Sequence, residues 1–243
     1  MVASLKARVK PTIRPISSLE LENGAEITAF SQRQKLAFVV SGGESLDVIR
    51  FRNFKNPRLL NSLPLQGSAN SVAITKAGLI AVATAEGQNN RGLIEFFQIR
   101  DDQSIKRKGK LRVGNLPDSI AFTPDGSKLV VANEGEPNQF YGTDDGKDPA
   151  GSISIVRIDD RKPDRSRVTD LGFSGFSTRE LRNKGVRISG VKGTTPATDI
   201  EPEYVTVTPD GKTAFVTLQE NNAIAEVNLR SRKIKRVFSA GLQ

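Results

Sequence analysis

Cysteine and histidine are both absent from the 243 residues. Without cysteine there are no disulfides and no thiolate chemistry. Without histidine there are no imidazole triads or imidazole proton shuttles. Zinc centres built on either ligand are excluded as well. Any metal held by this chain must be held by oxygen, which favours calcium or magnesium. No apolar run reaches 18 residues, so no segment reads as a membrane-spanning helix. Residues 1–10, MVASLKARVK, carry basic residues with no apolar stretch behind them, and do not read as a signal peptide.

What is present fits a globular protein: 37% hydrophobic and 26% charged residues. The net charge is +9. Its bases cluster in short runs: Lys106, Arg107, Lys108, Lys110 and Arg112; Arg161, Lys162, Arg165 and Arg167; Arg230, Arg232, Lys233, Lys235 and Arg236. We expect these on solvated outer strands, where lysine discourages pairing with other chains. A polyanion site is the alternative, and nucleic acid is not the expected partner.

Four segments repeat one pattern. They begin near Ala25, Ala69, Pro117 and Pro202, each followed by an acidic or amide residue: Glu26, Asn70, Asp118 and Glu203. An alternating apolar strand comes next, then a tight turn, SQRQK, TKAG, TPDGSK or TPDGKT. Pro-Asp-Gly is turn chemistry: proline presets φ, aspartate bonds its own backbone and glycine accepts positive φ. A second strand rich in Val, Ala and Phe follows. A third (LDVIRF, GLIEFFQI, GSISIVRI, AIAEVNL) precedes a more polar fourth. Four strands repeating at about 45 residues predict an all-β fold, a β-propeller with four-stranded antiparallel blades. The blades are expected over residues 25–65, 69–113, 117–172 and 202–240. An insert fills 173–201, where STRELRNKGVRI suggests a short helix. A β-sandwich is the rival architecture.

Residues 12–21, TIRPISSLEL, resemble a fourth strand without its own blade. They could close a four-bladed ring. The strand RKIKRVFSA at 232–240 reads instead as one that leads on to a further blade. A chain that is part of a longer propeller is therefore the expectation, with self-association to complete a ring as an alternative.

The runs LPDSIAFTPDGSKLVVANEGEPN, DPAGSISIVRI and DIEPEYVTVTPDGKTAFVTLQENNAIAEVNL resemble the choice-of-anchor I family. The resemblance covers about Asn70 to Gln243, with ANEGEPN, EPEYV and TLQENNA as its most specific motifs. The family consists of secreted or surface-attached bacterial propellers with YVTN-type, WD-like repeats. It implies a seven-bladed ring and an extracytoplasmic location. Some members are joined to alkaline phosphatase- or phytase-like phosphoesterases. It offers no catalytic motif to transfer.

Candidate site residues follow from the strand order. The first strand of each blade lines the channel. Glu26, Asn70, Asp118, Glu201 and Glu203 should therefore gather at one end. The second strands end at the same face, which adds Glu86, Asn133, Glu134, Glu136, Gln219, Glu220, Asn221 and Asn222. A ligand at the channel mouth would meet Asn133, Glu134, Glu136, Glu201, Glu203, Glu220 and Asn221. Carboxylates and amides there can equally cap backbone N–H groups or face water. Calcium, with six to eight oxygen ligands, is the cofactor such a face could take. Its candidate ligands are Asp118 and Glu203, together with Asp144, Asp145 and Asp148 in the loop YGTDDGKDPAG. That loop lacks the EF-hand spacing.

Three functional readings remain open. The first is a non-catalytic module binding a protein or a small anionic ligand at an acidic channel mouth. The second is a calcium-dependent phosphoesterase or other hydrolase, for which Arg91 and Lys147 are the nearby bases. The chain shows no GxSxG, no phosphate loop and no nucleophile motif. The third is a polyanion-binding surface protein.

Overall fold

A computed structural model describes residues 14–87 and 89–241. Sixteen strands form four four-stranded antiparallel sheets, each in chain order. The first holds β1 (Ile27–Ser31), β2 (Leu36–Val40), β3 (Ser45–Arg50) and β4 (Arg58–Pro64). The second holds β5 (Ser68–Ile74), β6 (Leu79–Ala85), β7 (Arg91–Ile99) and β8 (Ile105–Asn115). The third holds β9 (Pro117–Phe122), β10 (Lys128–Asn133), β11 (Ser152–Arg157) and β12 (Arg167–Gly172). The fourth holds β13 (Val205–Val207), β14 (Thr213–Leu218), β15 (Ala223–Asn228) and β16 (Lys233–Ser239).

Each sheet is a blade of a β-propeller, packed face to face on the next. The inner strands stand side by side in succession, β1 by β5, β5 by β9 and β9 by β13. Middle strands are covered on both faces, which is why they read as continuous apolar runs: every residue of β2 and β6 is buried. Three cores fill the gaps between blades. Leu36, Phe38 and Val48 meet Val72, Val82 and Phe97 between blades 1 and 2. Ile94, Phe96 and Val113 meet Leu129, Val131 and Val156 between blades 2 and 3. Val130, Ile153 and Ile155 meet Val216, Ala225 and Val227 between blades 3 and 4. Each large side chain buried this way contributes roughly 1.5–3 kcal/mol.

Inner strands are also joined by side chains. The Ser71 hydroxyl accepts the Ile120 N–H at 3.3 Å, and Ser119 accepts the Val205 N–H at 3.3 Å. Asn70 donates to the Pro117 carbonyl at 3.0 Å, so this first-strand amide ties blade 2 to blade 3.

The insert is part of the core. Phe173, Leu181, Val186, Ile188 and Ile200 pack with blades 3 and 4. It holds α1 (Thr178–Asn183) and α2 (Pro196–Asp199). The Ser177 side chain caps α1 by accepting the Glu180 N–H. Residues 14–20 form no strand, so the fourth-strand reading of 12–21 fails over its described part. Leu21 instead packs against Ala37, Val39 and Ile49 on the face of blade 1 turned away from blade 2. Residues 1–10, which do not read as a signal peptide, lie outside the described residues.

The antiparallel registers define two ends of each blade. In blade 3, Lys128, Arg157 and Arg167 align at one end, and Asn133, Ser152 and Gly172 at the other. In blade 4, Thr213, Asn228 and Lys233 share the first end, and Leu218, Ala223 and Ser239 the second. The first is called the turn end below, and the second the loop end.

Candidate functional site

The loop end of blades 3 and 4 is built by two long connections that hold each other. After β10, the Glu134 N–H donates to the Leu116 carbonyl at 2.9 Å, and the Gly135 N–H to the Asn115 carbonyl at 3.2 Å. Gly135 sits at φ +71°, and a Cβ there would press on Ala150 and Gly151. Before β11, the Gly151 N–H donates to the Ala197 carbonyl at 3.1 Å, joining the loop to the insert. The Tyr141 hydroxyl accepts the Val191 N–H at 3.1 Å and completes the bridge.

Two residues organise the insert side. The Asp199 carboxylate accepts N–H groups from Ser189 (3.1 Å) and Gly190 (2.5 Å). Buried Asn221 donates to the carbonyls of Asp199 (2.7 Å) and Arg187 (3.0 Å) and to the Asp199 carboxylate (3.1 Å). Its side-chain oxygen accepts the Glu201 N–H at 3.2 Å. Asn221 therefore fixes the direction of the chain on which Asp199 and Glu201 stand.

Between these connections lies a cavity of about 330 Å³. Glu134, Glu136, Asp148, Asp199, Glu201 and Glu220 line it, with Arg187 as its base and Tyr141 and Pro137 in its wall. Its electrostatics are those of carboxylates crowded together at partial burial. Burial pushes Glu134 up to about 8, helped by the charges of Asp118, Glu136, Glu201 and Glu203. Burial also pushes Glu201 up to about 7, with Glu220, Glu136, Asp148 and Asp199 adding to it. Glu203, Asp118 and Asp148 are raised too, each first by burial. One oxygen of Asp148 is buried without a hydrogen-bond partner.

The structure thus brings Glu134, Glu136, Glu201 and Glu220 to one cavity, with Asn221 in its wall, and sets Asp118 and Glu203 against Glu134 and each other. Asn133 lies elsewhere. It is fully buried and donates to the Ser154 and Ser152 hydroxyls at 2.9 and 3.2 Å, wedged beside Gly114 of blade 2. It is an inter-blade residue, because the last residue of β10 points into the sheet packing. Asp144 and Asp145 are exposed in a turn and do not join Asp148 at the cavity. Among the described residues no three carboxylates stand in a group that could hold a metal ion. The five proposed calcium ligands are therefore split among separate places. Arg91 is engaged by Asp170 of blade 3 at 2.9 Å and is not a cavity base. Arg187, Tyr141 and Asp199 were not foreseen. Asp199 alone left a trace, two residues before Glu201 in TDIEPEY.

The fold and this site define a β-propeller with a carboxylate-lined pocket between adjacent blades. The choice-of-anchor I domain profile matches residues 26–243, and the chain belongs to that family. The mesenchyme-specific cell surface glycoprotein of Strongylocentrotus purpuratus is 24% identical over 144 residues, spanning 57% of this chain and 18% of that protein. Hydrazine synthase of Kuenenia stuttgartiensis is similar in structure with a TM-score of 0.59 at 15% identity, over 97% of this chain and 52% of that one. A functionally unknown protein from Desulfotomaculum acetoxidans also has a TM-score of 0.59, at 21% identity, over 92% of this chain and 59% of that one. These two likenesses concern the fold. The chain spans less than a fifth of the glycoprotein and little more than half of either solved chain.

Proposed function

We propose that this domain is an extracytoplasmic binding module that takes a cationic group, an ammonium or guanidinium of a protein partner or polyamine, in the carboxylate-lined cavity. The choice-of-anchor I family and the cell-surface glycoprotein relative support a surface location. The observation that carries the ligand class is the convergence of Glu134, Glu136, Glu201 and Glu220 on one cavity with a single arginine. A cation there would replace the protons that burial and mutual repulsion keep on Glu134 and Glu201. The same field repels an anion, so the anionic small ligand expected from sequence is the less favoured class.

The test is calorimetric titration of a lysine-rich peptide and of spermidine at pH 7 in two buffers of different ionisation enthalpy. Binding should release protons and be tighter at pH 8.5 than at pH 6, and Glu134→Gln together with Glu201→Gln should abolish it. Binding without proton release, or unchanged in the double variant, would remove the cavity from consideration.

A further inference from the structure

The turn end of blades 3 and 4 carries the opposite charge. A groove of about 490 Å³ runs between the Pro-Asp-Gly turns of the two blades, over a floor of Ile155 and Leu229. Its bases are Lys128, Arg157, Lys212, Arg230 and Arg232, against two acids, Asp125 and Asp210. Arg157 also lines an adjoining groove with Arg165 and Arg167, so the bases form a continuous track from blade 4 to the outer edge of blade 3.

The acids along this track are committed to their own turns. Asp125 accepts from Thr123 Oγ1 (2.5 Å) and from the Ser127 N–H (3.0 Å) and hydroxyl (2.8 Å). Asp210 accepts from Thr208 Oγ1 (2.6 Å) and the Lys212 N–H (3.0 Å), and Asp159 accepts the N–H groups of Arg161 and Lys162 (3.0 Å each). Among the described residues no ion pair engages Arg157, Arg230 or Arg232, all three of which are exposed. Several bases on the outer strands differ: Arg107 pairs with Glu95, and Lys235 and Arg236 pair with Glu226. Arginines without an ion pair therefore stand together at the turn end, while Arg107 and Arg236 of the outer strands are paired.

We propose that this track binds a linear polysaccharide bearing sulfate or carboxylate groups. Planar guanidinium groups in a row match a succession of oxyanions. A groove between raised turns admits one chain, whereas a bilayer would reach only the rims. The groove lining contains no aromatic side chain on which unpaired bases could stack, which disfavours single-stranded nucleic acid.

The test is titration of the protein with a heparin oligosaccharide at low and at moderate salt, alongside single-stranded DNA of equal charge and anionic lipid vesicles. Replacing Arg157, Arg230 and Arg232 together by alanine should weaken heparin binding at least tenfold and flatten its salt dependence. Replacing Lys106 and Lys108 of β8, which lie off the track, should change it less than twofold. Equal affinity of the triple variant and the unaltered protein would overturn the proposal. So would DNA or vesicles binding as tightly as the polysaccharide. Circular dichroism of the triple variant confirms that a loss of binding is not a loss of fold.

Discussion

At the two ends of blades 3 and 4 the same kind of side chain meets opposite fates. At the turn end, Asp125 is held down to about 2, first by the Thr123 hydroxyl and then by the N–H and hydroxyl of Ser127, in a turn of only five residues between strands, 123–127. At the loop end, Glu134 is pushed up to about 8, first by burial and then by the other carboxylates it faces. The difference lies in the supply of donors. A short turn offers its own N–H groups to its own aspartate. The two long connections spend N–H groups on carbonyls and, at Ser189 and Gly190, on Asp199, while Glu134 and Glu201 share a cavity with other carboxylates. A short turn therefore stabilises its charge locally, while a long loop can hold charge in a form that a ligand would relieve.

The largest expected effect comes from removing what holds the loop end in shape. Asn221→Ala leaves the Asp199 and Arg187 carbonyls and the Glu201 N–H without a partner. It should lower unfolding free energy by about 2–3 kcal/mol in urea melts. Since the turn end shares none of these contacts, heparin affinity of the folded variant should not change.

A smaller effect sharpens the charge contrast. A carboxyl whose folded pKa lies above the unfolded value favours folding most at low pH, and that advantage drains away as the pH rises from about 4.5 towards about 8. Glu134→Gln removes the liability. We expect it to stabilise the protein by about 1–2 kcal/mol at pH 8.5, allowing for partial solvation, and to be near neutral at pH 4.5. Parallel melts at the two pH values decide this, and an equal effect at both would contradict the assigned cause. The smallest change is expected from Asp125→Asn at the turn end. Its folded pKa is depressed, so its contribution is complete above about 4 and is lost only as the pH falls towards about 2. The thermal midpoint should drop by about 2 °C at pH 7, with no trend between pH 6 and pH 9.

Much of the fold was legible because its signals are local. The turns TPDG at 123–126 and 208–211 announce hairpins through proline, aspartate and glycine, and Gly126 and Gly211 do take positive φ. The apolar second and third strands recur at blade spacing. The helix suggested by STRELRNKGVRI is α1, where Ser177 is the cap. The site was less legible because it depends on what faces what. Asn133 and Glu134 are adjacent in sequence, yet one is sealed between blades 2 and 3 and the other opens to the cavity. Strand counting placed both at the loop end but could not say which one the sheet would swallow. Arg187 and Tyr141 come from the insert and the long loop, outside the repeat, where no aligned position exists to point at them. Asp144 and Asp145 carried the densest acidic pattern and are exposed, while Tyr141 of the same loop reaches the cavity.

The serine links between inner strands have a consequence for how this protein keeps to itself. The innermost strand of a blade is an edge, with N–H groups that any stray strand could adopt. Here Ser71 reaches from one blade to satisfy Ile120 of the next, and Ser119 does the same for Val205. Blades 2 and 3 thereby each chaperone the bare flank of the next blade at the N–H where a foreign strand could begin.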